Sequence, residues 1–146
     1  MTTVCYASEI TGVGSLVTGF VDDHGILVFF NEQAPAELQD ISVFHRPSIE
    51  RHGPVPGDVV EIGATSFPIL AVGDVVERNL IDLGHIDFKA NGKVTADLPG
   101  DVCVPEHALP QPEVGDAFRI TRGGDPRAAP PAAASSAATP SGGEGT

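Results

Sequence analysis

Short apolar runs cut by recurring turn signals constrain the fold of this chain more than any other feature of it. Pro-Gly-Asp stands at Pro56-Gly57-Asp58 and again at Pro99-Gly100-Asp101; Val-Gly-Asp stands at Val72-Gly73-Asp74 and Val114-Gly115-Asp116. Each opens or closes a run rich in Val, Ile and Phe, as a turn between half-buried strands should. The pattern predicts strands over residues 3–10, 25–30, 42–46, 59–62, 66–72, 85–90, 102–104 and 117–122. Asn91-Gly92 is the strongest single turn signal, because both central residues of a type I′ turn need positive φ.

Two segments break the β pattern. "APAELQDI" begins with a proline suited to a first helical turn, followed by helix formers. "DVVERNLIDLG" spaces Val75, Val76, Leu80 and Leu83 at roughly helical intervals, with Gly84 as the stop. Six to eight short strands with one or two short helices suggest a mainly β fold, a small antiparallel, partly open β-barrel. Few of the strands carry the edge charges that discourage pairing with other molecules, so closure is favoured. Residues 1–122 are expected to form one domain. Residues 123–146 read as an Ala/Pro/Gly/Ser-rich tail with no large apolar side chain to bury, and are expected to be disordered.

Charge narrows the function. The chain has a formal net charge of −12, with only 8 Lys+Arg against 20 Asp+Glu. Nucleic-acid binding needs clustered cations and is disfavoured, as are anionic membrane surfaces. No stretch approaches the length of a bilayer span, and the start of the chain lacks signal-peptide character, so a cytoplasmic, soluble protein without membrane insertion is expected. Cys5 and Cys103 lie far apart in apolar contexts and read as buried free thiols. No phosphate-cradling glycine motif is present, and no cofactor is implied.

The five histidines are the remaining candidates for chemistry. His24, His52 and His107 sit in turn-like or proline-rich contexts and read as surface or structural residues. His45 follows the run Ile41-Ser42-Val43-Phe44 and precedes Arg46-Pro47; His85 follows Leu83-Gly84 and opens a strand. For both, structural and chemical roles stay open on pattern alone. No local His/Cys/Glu spacing offers a metal chelate. A neutral imidazole can instead accept a phosphoryl group on one ring nitrogen while the other is held as a donor. Charge on the phosphoryl oxygens then needs stabilising by an N–H, a second imidazole or a guanidinium.

The stretches "LVFFNEQAPAELQDISVFH", "PGDVVEIGATSFPILAVGDVVERNLIDLGHI", "NGKVTADLPGDVCV" and "VGDAFRI" resemble the glucitol/sorbitol-specific IIA component of the bacterial phosphoenolpyruvate-dependent sugar phosphotransferase system (PTS). The resemblance spans residues 3–121 and leaves out the tail. It implies a partly open β-barrel and a phosphocarrier between the phosphohistidine protein HPr and a cysteine of the IIB component, with IIB/IIC membrane components as partners in glucitol/sorbitol uptake. The family's phospho-accepting histidine falls at His45. His85 matches the "LGH" pattern and would orient or stabilise the phosphoryl group. Arg46-Pro47 departs from the family, whose residues after that histidine are often small, polar or histidine-bearing: Arg46 could stabilise phosphoryl charge, or Pro47 could end the strand and leave Arg46 solvated. Such a site is expected to expose His45 opposite His85 across a shallow depression with apolar surroundings; a buried His45 would count against transfer through it. A non-catalytic regulatory or interaction module on the same barrel is the alternative.

Overall fold

The structure, a computed structural model, describes residues 3–123. The expected tail, Gly123 apart, lies outside the described residues. Nine strands form one sheet among them: β1 (Thr3–Val13), β2 (Ile26–Asn31), β3 (Ser42–Glu50), β4 (Val59–Ile62), β5 (Thr65–Pro68), β6 (Ala71–Val72), β7 (Ile86–Lys89), β8 (Asp101–Cys103) and β9 (Ala117–Arg122). Among the described residues no helix is long and apolar enough to cross a membrane.

The strand order is β5-β4-β9-β1-β3-β2-β7-β8-β6. β5 and β6 are therefore consecutive in the chain yet lie at opposite edges of the sheet. Only Ile69 and Leu70 separate them, and these two residues draw the edges together. Ile69 N–H donates to Asp58 O at 2.8 Å beside β4, while Leu70 N–H donates to Cys103 O at 2.8 Å on β8. The sheet curls until its edges meet at this corner, giving the partly open barrel expected from the sequence. The single strand expected over 66–72 is instead bent in two, because its halves pair with different edges.

Three further departures have physical reasons. β2–β3 and β7–β8 pair in parallel, the other neighbours antiparallel. Parallel β7 and β8 cannot be joined by a tight hairpin. Asn91-Gly92 accordingly forms no type I′ turn: Gly92 alone has positive φ (69°), and Asn91 Oδ1 accepts from Lys93 N–H at 3.0 Å. β3 runs on through Pro47, which faces Ser8 at a register shift in β1. A proline is tolerated at such an irregularity because less is asked of its missing N–H. The helix expected after Ala34 shrinks to a 3₁₀ turn, Ala36–Leu38. A short helix missed from the sequence, α1 (Val17–Gly19), runs into a π-helical turn, Phe20–His24, and stops at Gly25 with φ 64°. Gly14 and Gly19 had hidden its periodicity.

α2 (Val76–Leu83) forms as expected, burying Val76 and Leu80 and ending at Gly84 in the left-handed region. Gly84 N–H donates to Leu80 O at 2.9 Å and His85 N–H to Asn79 O at 3.2 Å, satisfying carbonyls the helix end leaves free. The core is aromatic at its centre. Phe29 stacks on Phe118 with centroids 4.3 Å apart, and Phe88 meets both edge-on at 5.9 and 6.0 Å. Cys5 and Cys103 are buried and free. Replacing Phe118 by Ala should cost about 3–5 kcal/mol, read as a lowered urea midpoint. Val94→Ala, at a side chain 76% exposed, should change stability by less than about 0.5 kcal/mol.

Candidate functional site

Alternation along β3 turns Val43 and His45 inward, while Arg46 points out. His45 is fully buried. Its ring sits edge-on to Phe29 and Phe118, each 5.5 Å away between centroids, with Tyr6 at 6.1 Å. Both ring nitrogens are engaged. Nε2 lies 2.7 Å from Gly84 O and Nδ1 lies 2.9 Å from Ser8 Oγ. A carbonyl can only accept, so Nε2 carries the proton and donates to Gly84. Nδ1 then holds the lone pair and accepts from the Ser8 hydroxyl.

Burial pushes the His45 ring below its ordinary value of 6.5, opposed in part by the Gly84 carbonyl and the Glu32 carboxylate. The ring is thus held neutral. The expectation of an exposed imidazole facing His85 across a depression is not met. β3 does not end at Arg46, as the sequence suggested, but runs on to Glu50, so that His45 stands in the middle of the sheet between β1 and β2.

Gly84 makes this arrangement possible. Its φ is 62°, and a Cβ there would stand 2.9 Å from Asn31 N and Cβ and 3.1 Å from His45 Nε2. Only a residue without a side chain can end α2 while laying its carbonyl on the histidine.

One residue on, His85 is held through its other ring nitrogen. Its Nδ1 lies 3.2 Å from Phe29 O, again an acceptor only, so Nδ1 carries the proton. Nε2 has no hydrogen bond and lies 3.8 Å from Asp87 Oδ2, with the side chain 22% exposed. Phe30 stacks on the ring at 4.2 Å. Burial raises the Asp87 carboxyl above its usual range, while His85 and Lys89 pull it down. The structure therefore brings His45 and His85 to the two sides of one glycine. It puts the buried ring on the carbonyl and the partly exposed ring at the start of β7.

Arg46 lies on the outer face. Its Nε and Nη2 donate to the two carboxylate oxygens of Glu32 at 3.1 and 3.0 Å, and its side chain is 68% exposed. The pair holds the Glu32 carboxyl below its usual range. His24 and His107 are exposed. His52 accepts from Arg122 Nη2 at 2.6 Å in a loop tie that also reaches Gly53 O. Among the described residues no three His, Cys, Asp or Glu side chains gather as metal ligands would. Ser8 escaped sequence reasoning: it lies on another strand, 37 residues away, and no local spacing signals a hydroxyl that meets its partner only across a sheet.

A family model described as the PTS system glucitol/sorbitol-specific IIA component matches residues 5–119. The chain belongs to that family. The PTS system glucitol/sorbitol-specific EIIA component of Shigella flexneri is 35% identical over 102 residues, which cover 70% of this chain and 82% of that one. Its counterpart in Escherichia coli (strain K12) is 34% identical over the same shares. A crystal structure of a PTS system IIA component from Enterococcus faecalis V583 matches with a TM-score of 0.64 and 23% identity, covering 77% of this chain and 96% of that one. At that identity the likeness speaks for the fold.

The buried neutral ring sets a pH dependence. Unfolding frees His45 to take up a proton near 6.5, whereas the folded ring resists protonation to a lower pH. Below about 6.5 the unfolded state binds more protons, so this contribution to stability is lost as the pH falls. The urea midpoint of the wild type should drop more steeply than that of His45→Gln between about pH 7.5 and about pH 5. Parallel slopes would show that the ring is not held neutral. Gly84→Ala should destabilise by about 1–3 kcal/mol from the positive φ and the collision with Asn31, measured in the same titration.

Proposed function

We propose that this IIA component is a cytoplasmic phosphocarrier. It accepts a phosphoryl group on His45 from the phosphohistidine of HPr and passes it to a cysteine of a IIB component, serving glucitol/sorbitol uptake. Family membership over residues 5–119 supports the role. The relatives named as glucitol/sorbitol-specific EIIA components support the sugar class. The observation that carries the site is the His45–Gly84–His85 arrangement. A neutral imidazole has each nitrogen engaged by one defined partner, and a second imidazole follows one residue after the carbonyl that covers it.

Transfer cannot occur with His45 as it stands. Nε2 is protonated and covered, and a phosphorylated ring could not stay among Phe29, Phe118 and Tyr6 at tolerable cost. The Gly84 carbonyl must withdraw, and the end of α2 with it, because helix C-terminal carbonyls repel phosphate oxygens. Once Nε2 is uncovered and has given its proton to water, with Nδ1 taking one up in its place, the Nε2 lone pair attacks phosphorus while the donor's P–N bond breaks and its electron pair returns to the donor imidazole. Transfer between two imidazoles is nearly balanced in energy, so alignment governs the rate. Arg46 takes no part in this reading, because Glu32 ties its Nε–Nη2 edge down on the outer face of the sheet, opposite to the side that buries His45.

A second reading has one observation in its favour: His85 already presents a partly exposed Nε2 that makes no hydrogen bond, with Nδ1–H held by Phe29. The Asp87 carboxylate beside that nitrogen weighs against it, since it would repel an incoming phosphoryl group. Incubation with phosphoenolpyruvate, enzyme I and HPr separates the two. The wild type should gain an acid-labile, alkali-stable label. His45→Ala should lose it, and His85→Ala should keep it at a reduced rate. Label retained by His45→Ala and lost from His85→Ala would move the acceptor to His85; partner binding without any label would favour a regulatory module.

A further inference from the structure

Ser8 sits on β1, 6% exposed, with its hydroxyl on the nitrogen of His45 that faces away from the α2 corner. The two nitrogens of this ring have partners of different kinds. Gly84 O can only accept, whereas a serine hydroxyl can donate or accept by rotating about one bond. Nδ1 faces β1 within the sheet. Nε2 faces the corner where Leu83 is 48% exposed and His85 is partly exposed, so Nε2 is the nitrogen that reaches a partner protein when the corner opens. For Nε2 to attack it must give up its proton, and Nδ1 must gain one. The partner of Nδ1 then has to change from donor to acceptor.

We propose that Ser8 is the positioning residue for this exchange: its hydroxyl donates to Nδ1 of resting His45 and accepts from Nδ1–H when Nε2 takes the phosphoryl group. This rests on the reading of His45 as the acceptor. The protons balance. After Gly84 withdraws, Nε2 loses one to water and Nδ1 gains one relayed from water through the Ser8 hydroxyl. The ring keeps the orientation set by β1 while its tautomer inverts. A carbonyl or an ammonium could hold only one of the two states, and an alanine neither.

The test uses the full chain labelled with ¹⁵N-histidine, observed by NMR before and after phosphorylation by phosphoenolpyruvate, enzyme I and HPr. Resting His45 should be the Nε2–H tautomer. The phosphoprotein should show an Nδ1–H proton that exchanges slowly with water. Ser8→Ala should lose that slow proton and accept phosphate about tenfold more slowly, the rate equivalent of about 1.4 kcal/mol; Ser8→Thr should retain both properties. A freely exchanging Nδ1–H in the wild-type phosphoprotein, or wild-type speed in a folded Ser8→Ala, overturns the role of Ser8 and leaves His45 as acceptor. If Ser8→Ala does not fold by circular dichroism, the wild-type and Ser8→Thr spectra decide alone. A wild type labelled elsewhere than His45 overturns the acceptor reading and the role of Ser8 with it.

Discussion

The hydrogen bond from His45 Nε2 to the Gly84 carbonyl joins two parts of the molecule 39 residues apart: the middle of β3 and the short link between α2 and β7. It fixes the C-terminal end of α2 to β3, and with it the residue that leads into β7. It also decides which tautomer the buried ring adopts. The bond exists because Gly84 can hold a left-handed conformation with its Cα against Asn31 and the ring. Helix stop, buried imidazole and start of the next strand are thus one device. A carbonyl that the helix would otherwise leave to water is satisfied by the side chain that the fold must keep neutral.

Burial is the main tension between this structure and a phosphocarrier role. A ring enclosed by Phe29, Phe118 and Tyr6 is a good core residue and a poor acceptor for a charged group. The two demands meet if the covering element is the part that moves. α2 has eight residues and buries Val76 and Leu80, while Leu83, next to the glycine, is exposed. Its last turn is held by two backbone bonds at Gly84 and His85 and by the contact with His45. The strand side of the site is far more deeply tied, since β3 is paired on both flanks by β1 and β2. The helix end is the less costly side to displace.

What could be read from the sequence followed how local each signal was. The Pro-Gly-Asp and Val-Gly-Asp turns, α2 and its glycine stop rest on neighbours in the chain, and they placed most strand positions correctly. The bend at Ile69–Leu70, the parallel pairs and the continuation of β3 through Pro47 depend on which strand lies alongside. Apolar periodicity carries no such information. The same division applies to the site. Leu83-Gly84-His85 announces itself as a helix stop followed by an imidazole, and the family resemblance singled out His45. That His45 would be buried, that Arg46 would face Glu32, and that Ser8 would meet the ring all follow from sheet register alone.

Charge supplies the remaining step. A phosphorylated imidazole carries negative charge that a core of aromatic rings cannot hold, so with His45 as the proposed acceptor the unphosphorylated and phosphorylated chains could not share one conformation of the α2 corner. At rest the corner is closed by a hydrogen bond from a neutral ring. On the proposed transfer to His45, that donor proton would be gone and the Gly84 carbonyl would face phosphoryl oxygens of its own sign. The chemistry itself then favours the open corner, by removing the one interaction that closes it and adding a repulsion. A donor protein and an acceptor protein would meet different surfaces on the same barrel, which gives a relay its direction without any further binding site.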